Sequence, residues 1–201
     1  MATFWRGFRV AAAMALLVAG AVAAQDTPRG LVLVRDGGRG GLWIGGGLGR
    51  GGEALDLRDG AGYTEELYGP TVSLRLGGTP SQHLRLGGEI LAWFHDEGLV
   101  NESLSSFLFV GQVYPVKSTG FYLKGGLGVG RSEVDFGAGE RYWDTGVAGL
   151  VGAGWEIRVG RRLYLNPVVD VVEHRYDVRG GDNYREQLVN FGIGILYQGG
   201  R

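Results

Sequence analysis

The sequence carries three histidines, His83, His95 and His174, and no cysteine. No two of the histidines stand at metal-ligand spacing, and without thiols neither a thiolate metal site nor a disulfide framework can form. Glu173-His174-Arg175-Tyr176 sets a base beside an acid. Nucleophilic chemistry there would need a serine brought in by the fold, and Ser103, Ser105 and Ser106 are the candidates. The simpler reading is a rim histidine beside its own acid. Gly47-Leu48-Gly49-Arg50-Gly51-Gly52 matches a dinucleotide-type glycine spacing. That motif requires a following helix whose N-terminus holds phosphate, and Glu53–Tyr63 is too polar and glycine-broken to supply one. The acids Asp56, Asp59, Asp96, Glu97, Asp135, Glu140, Asp144, Asp177 and Asp182 could hold calcium or a partner but lack EF-hand spacing, so they read as solvated loops. The expectation is no catalytic residue, no cofactor, no metal and no enzymatic step.

The remaining ionisable residues gain meaning only from the elements that carry them. Arg75, Arg85, Glu89, Lys124, Glu156, Arg158 and Asp170 all fall within segments that alternate with a period of two. In Glu186–Gln198, Val189, Phe191, Ile193, Ile195 and Tyr197 share one face. Leu188, Asn190, Gly192, Gly194, Leu196 and Gln198 share the other. Such alternation is a strand signal. The glycines on the second face point to a narrow interior.

The same pattern recurs along 201 residues, which suffice for one domain. Forty glycines without a three-residue period exclude collagen, and interleaved aliphatic and aromatic residues exclude a flexible linker. A formal charge of −1 gives no argument for nucleic acid. Residues 1–24 have a basic start at Arg6 and Arg9, a short apolar core over Val10–Val18 and small residues at Ala21-Val22-Ala23-Ala24. This reads as a secretory signal peptide, cleaved after Ala23 or Ala24. Removing the two arginines takes the charge from −1 to −3 (−1 − 2). Residues 25–40 read as a lead-in, and 41–201 as the barrel domain.

The expected strands cover about 41–49, 65–76, 82–94, 103–114, 120–131, 145–159, 163–176 and 186–198. Arg50–Thr64, His95–Glu102, Ser132–Asp144 and Asp177–Arg185 read as long loops, and Gly77–Ser81, Pro115–Thr119 and Gly160–Arg162 as tight turns. Pro70 would cost a central strand a ladder bond, so it is placed at a bulge or the upper rim. Long and short connections alternate, and the charges and glycines keep mostly to one face of each strand. Both features fit an eight-stranded antiparallel up-and-down transmembrane β-barrel, all-β, with aliphatics facing lipid and charges inside. Tyr68, Phe94 and Phe107 would form an aromatic girdle at the loop end, and Phe121, Trp155 and Tyr197 one at the turn end.

The chain resembles the small eight-stranded outer-membrane barrels, the OmpA transmembrane domain and OmpX type. The resemblance rests on the signal peptide, on Trp43-Ile44-Gly45-Gly46-Gly47-Leu48-Gly49 and on Asn190-Phe191-Gly192-Ile193-Gly194-Ile195-Leu196-Tyr197. It implies the outer membrane of a Gram-negative cell envelope. It also implies contact with membrane lipid and lipopolysaccharide, insertion by the barrel-assembly machinery, and a monomer. Members usually end on an aromatic residue, whereas here Gln198-Gly199-Gly200-Arg201 follows Tyr197.

An eight-stranded interior is filled by side chains, and charges inside it must pair. Turn-set register would bring Lys124, Gly152 and Asp170 into one row, with Lys124 and Asp170 on strands about 10 Å apart. A lysine reaching over the bare glycine closes that gap. The expected role is structural or surface-interacting, with an unidentified surface partner and no wide pore. The rivals are a small pore, a lipid-modifying barrel enzyme and a soluble lipocalin-like periplasmic barrel with an apolar cavity.

Overall fold

The computed structural model describes residues 39–57, 66–98, 100–116, 118–137, 140–177 and 183–199. Residues 1–24, expected as a signal peptide, and most of the expected lead-in lie outside these residues. Every described element is a strand: β1 (Gly41–Leu57), β2 (Leu67–Ser81), β3 (Leu84–Glu97), β4 (Val100–Val113), β5 (Phe121–Asp135), β6 (Arg141–Trp155), β7 (Ile157–Arg158), β8 (Leu163–Tyr176) and β9 (Tyr184–Gln198). Each pairs antiparallel with its neighbour in sequence, except that β6 and β7 do not pair with each other. β1 also pairs with β9, and β6 and β7 both pair with β8, which closes the sheet. β6 and β7 are one barrel strand interrupted at Glu156, so the barrel has eight staves.

The interruption has a local cause. The β6–β8 register places Trp155 and Glu156 opposite Pro167 and Asn166. Proline has no N–H to give a neighbouring strand. The side chain of Asn166 supplies a donor instead, its Nδ2 lying 2.8 Å from the Trp155 carbonyl. The Glu156 amide turns to the Gly120 carbonyl at 2.9 Å. Pro70 is tolerated for a related reason. It pairs with Arg50 on the β1 side, while the β2–β3 ladder begins only at Thr71, so Pro70 sits at the loop-end margin of that ladder.

The strands run further than the alternation of the sequence suggests. Arg50–Leu57 continues β1, paired to β9 as far as Leu57–Tyr184. Gly77–Ser81 is the end of β2 with a register shift between Gly78 and Ser81, and the turn is Gln82-His83. β3 and β4 extend to a two-residue connection at 98–99 where a long loop was expected. Gly98 there has φ +74°, a conformation favouring glycine, and its amide donates to Asp96 Oδ1 at 2.9 Å. The alternation of long and short connections therefore does not hold at this hairpin.

Side chains divide cleanly across the wall. Leu42, Leu48, Phe109, Leu127, Val147 and Phe191 face outward and are 60–75% exposed. Lys124 and Asp170 face inward and are 4% and 1% exposed. Burying one such aliphatic or aromatic is worth about 1.5–3 kcal/mol, so a belt of them left in water is untenable. Hydrocarbon removes the penalty. This polarity is the inverse of a lipocalin, whose apolar side chains line its cavity. The outward apolar run ends at Leu48 in β1, Val129 in β5, Val147 in β6, Val171 in β8 and Val189 in β9. Beyond it the outward positions are Arg50, Arg131, Thr145, Glu173 and Gln187. Phe107 lies at the middle of β4, opposite Ile90 and Val129, and so belongs to the belt rather than to a loop-end girdle. At the loop end Trp143 is exposed on the outward face of β6 instead.

Candidate functional site

The lumen is filled in layers, each built from the inward residues of several staves. Nearest the turns, Arg85 forms an ion pair with Glu156, and Arg39 Nε lies 3.5 Å from the same carboxylate. Tyr114 O–H donates to Glu156 at 2.6 Å, and Arg39 stacks over the Tyr114 ring at 3.8 Å. Gln198 completes the layer. Its Oε1 accepts from Arg85 at 2.9 Å, and its Nε2 donates to the Gly40 carbonyl at 2.9 Å. Gln198 therefore ties the last strand to β3 and to the segment that leads into β1.

Above it lies a second charged layer. Lys124 Nζ is 2.8 Å from Glu89 and 3.0 Å from Asp170. The register sets Lys124 opposite Gly152, and Gly152 opposite Asp170. A Cβ on Gly152 would come within 2.2 Å of Asp170 Oδ1, so the bare glycine is what lets lysine and aspartate meet. Arg75 stands opposite Glu89 on the neighbouring stave, and its Nη1 is 3.4 Å from the Tyr122 hydroxyl, which donates to Asn166 at 3.0 Å. Of the seven charged residues assigned to the lumen, six come together in these two layers. Arg158 does not. It lies on the short β7 and donates to the carbonyls of Gly160 and Arg161 at the turn, because the break at Glu156 leaves it at the barrel's end.

The third layer is mainly apolar: Leu91, Trp93, Leu104, Leu108, Leu150, Val172 and Leu188 pack together across the lumen, with the buried pairs Ser106–His174 and Thr71–Asn190 among them. Inward leucines are indistinguishable in type from lipid-facing ones, so only strand parity could have assigned them. The same parity, carried from Gly192 and Gly194 to Gln198, would have found that residue too.

Above the apolar layer the lumen opens into a cavity of about 410 Å³ lined by Glu53, Glu102, Ser132 and Glu186 with Trp93 and Leu104. Glu53 pairs with Leu188 in the β1–β9 ladder, which makes Glu186 its diagonal neighbour. Both acids lie beyond the lipid-facing run. Burial raises Glu53 to about 8, reinforced by the like charges of Glu186 and Glu102. Burial also raises Glu186 to about 6, against hydrogen bonds from Ser132 and Tyr176, each 2.9 Å long. Asp144 accepts from the Tyr184 hydroxyl at 2.8 Å.

His174 is reached by a serine, but not in a form suited to catalysis. Ser106 Oγ lies 2.8 Å from His174 Nε2, yet His174 Nδ1 has no partner among the described residues. Glu173 points outward to Arg175 at 2.7 Å, so no acid orients the ring. Both members are buried, 3% and 0% exposed, away from any lipid. His83 bonds the Tyr114 carbonyl and His95 the Tyr68 carbonyl. Among the described residues no group of three acids or histidines is placed to hold a metal ion.

A closed antiparallel barrel of this kind has counterparts among solved structures. Neisserial surface protein A matches with a TM-score of 0.58 at 15% identity, over 81% of this chain and 99% of that one. Ail, the attachment invasion locus protein of Yersinia pestis, matches with a TM-score of 0.53 at 14% identity, over 79% and 99%. The chain has the fold of the small eight-stranded outer-membrane β-barrels. No protein-family model and no curated protein matches the sequence. At such identity the fold alone is common ground.

Proposed function

We propose that the protein is a monomeric barrel of the outer membrane, inserted by the barrel-assembly machinery. It acts as a structural or surface-interacting component with a sealed lumen, and neither as an enzyme nor as a pore. One observation carries this reading: the wall is apolar outside, while the inside holds two ion-paired layers beneath an apolar one. Ions crossing the lumen would have to lose water among Leu91, Leu104, Leu108 and Val172, where the polar side chains at that level, Ser106 with His174 and Thr71 with Asn190, are bonded to one another. The long-strand end would face the exterior, as the loop end does in such barrels.

Contact with lipopolysaccharide is supported by arginines at the upper edge of the lipid-facing run. Arg50, Arg131, Arg175 and Arg185 all project outward there, where lipid phosphates lie. Reconstitution into planar bilayers tests the sealed lumen. Wild type should give no stable single-channel steps, and a reproducible conductance would refute the sealed plug. On gels the unboiled protein should migrate apart from the boiled one.

A further inference from the structure

The acidic cavity above the apolar layer is not used by the reading just given. Glu53 is 7% exposed, lines that cavity, and has no hydrogen bond or ion pair among the described residues. The charges acting on it, Glu186 and Glu102, are of its own sign. Asp144, on β6 outside the cavity lining, is a further like charge acting on Glu186, and Ser132 in the lining contributes only a neutral hydroxyl. The arginines of the surrounding staves give no relief. Arg131, Arg175 and Arg185 point outward and are held there by Glu133, Glu173 and Asp56. A buried carboxylate without a counter-charge is costly, and the described residues supply none here.

The geometry favours an organic cation over a metal. A bare metal ion needs several oxygens converging at about 2.0–2.6 Å, and the described acids form no such group. They are instead distributed round a cavity of about 410 Å³ whose floor includes Trp93 and Leu104. Spaced carboxylates over an apolar floor complement a chain of methylenes carrying separated ammonium groups, each with its own N–H donors. We propose that the mouth of the barrel is a binding site for aliphatic polyammonium cations, with Glu53 as its buried anchor and Glu186 and Glu102 as flanking carboxylates.

Titration calorimetry on the full barrel, refolded in zwitterionic detergent, tests this with spermidine as the probe. Magnesium and 1,8-octanediol serve as comparison ligands. Expected is saturable binding of one spermidine, at least tenfold weaker in Glu53→Gln and in Glu102→Gln. Binding should be unchanged in Glu133→Gln, which removes an acid from the outer wall. Gel mobility of unboiled samples confirms that each variant is folded, and Glu102→Gln carries the test if Glu53→Gln does not fold. Absence of saturable binding would overturn the proposal. So would equal loss in Glu133→Gln, which marks a diffuse counterion effect, or magnesium binding as tight as spermidine. Because the assay is run in detergent, its failure leaves the sealed-lumen reading to be judged by conductance.

Discussion

At the residue scale, the barrel depends on a few inward side chains placed where a neighbour is absent. Lys124 holds Glu89 and Asp170 together only because Gly152 between the staves has no side chain. Lys124→Ala leaves two carboxylates buried without their cation, which should cost about 3–5 kcal/mol. Urea titration of the refolded barrel reads this, and an unchanged midpoint contradicts the pairing. Gly152→Val should destabilise as well, since even a Cβ there meets Asp170 at 2.2 Å. The mouth acids predict a pH dependence. Glu53 and Glu186 are raised by folding to about 8 and about 6, so the folded state prefers their protonated forms. Their contribution is fully present below about pH 4.5 and is lost as pH rises through 6 and then 8. Melting temperature should therefore fall across this window, and Glu53→Gln should flatten the upper part of the fall. A wild-type curve that rises from pH 6 to 9 would contradict that assignment.

At the scale of the strand, the sequence was informative wherever lipid imposes its pattern. Between Leu42 and Leu48, or between Val189 and Tyr197, hydrocarbon demands an apolar outward face, and period-two alternation makes the strand evident. Beyond Leu48 the outward positions are Arg50, Gly52, Ala54 and Asp56, so the alternation fades although the hydrogen-bonded ladder continues to Leu57. The same loss of contrast concealed the upper ends of β3 to β6 and turned the end of β2 into an apparent turn. The break at Glu156 was equally hidden, because it follows from Pro167 on a different strand. Asn166 repairs that break with a side-chain donor to Trp155. Asn166→Ala should cost about 1–3 kcal/mol through the unpaired carbonyl. It should also speed amide hydrogen exchange locally around Ile157 and Arg158, whereas a uniform change along the barrel would argue against this role.

At the scale of the whole molecule, topology and the inside–outside assignment were legible, and the composition of the lumen was only half so. Six charges expected inside do meet there, since a charge on an otherwise lipid-facing strand has nowhere else to go. The apolar layer of Leu91, Leu104, Leu108, Val172 and Leu188 was not apparent, because hydropathy cannot distinguish a leucine facing lipid from one facing a dry lumen. Nor was the acidic mouth, whose acids come from β1, β4 and β9 and converge only after closure. All these layers require that the wall face hydrocarbon. The sequence has no cysteine, so a single nitroxide can be attached at Leu127→Cys, a site 72% exposed on the outer face of β5. In liposomes the label should be relaxed by molecular oxygen and shielded from a water-soluble nickel chelate. Strong relaxation by the nickel chelate, with little by oxygen, would place that face in water and contradict the account.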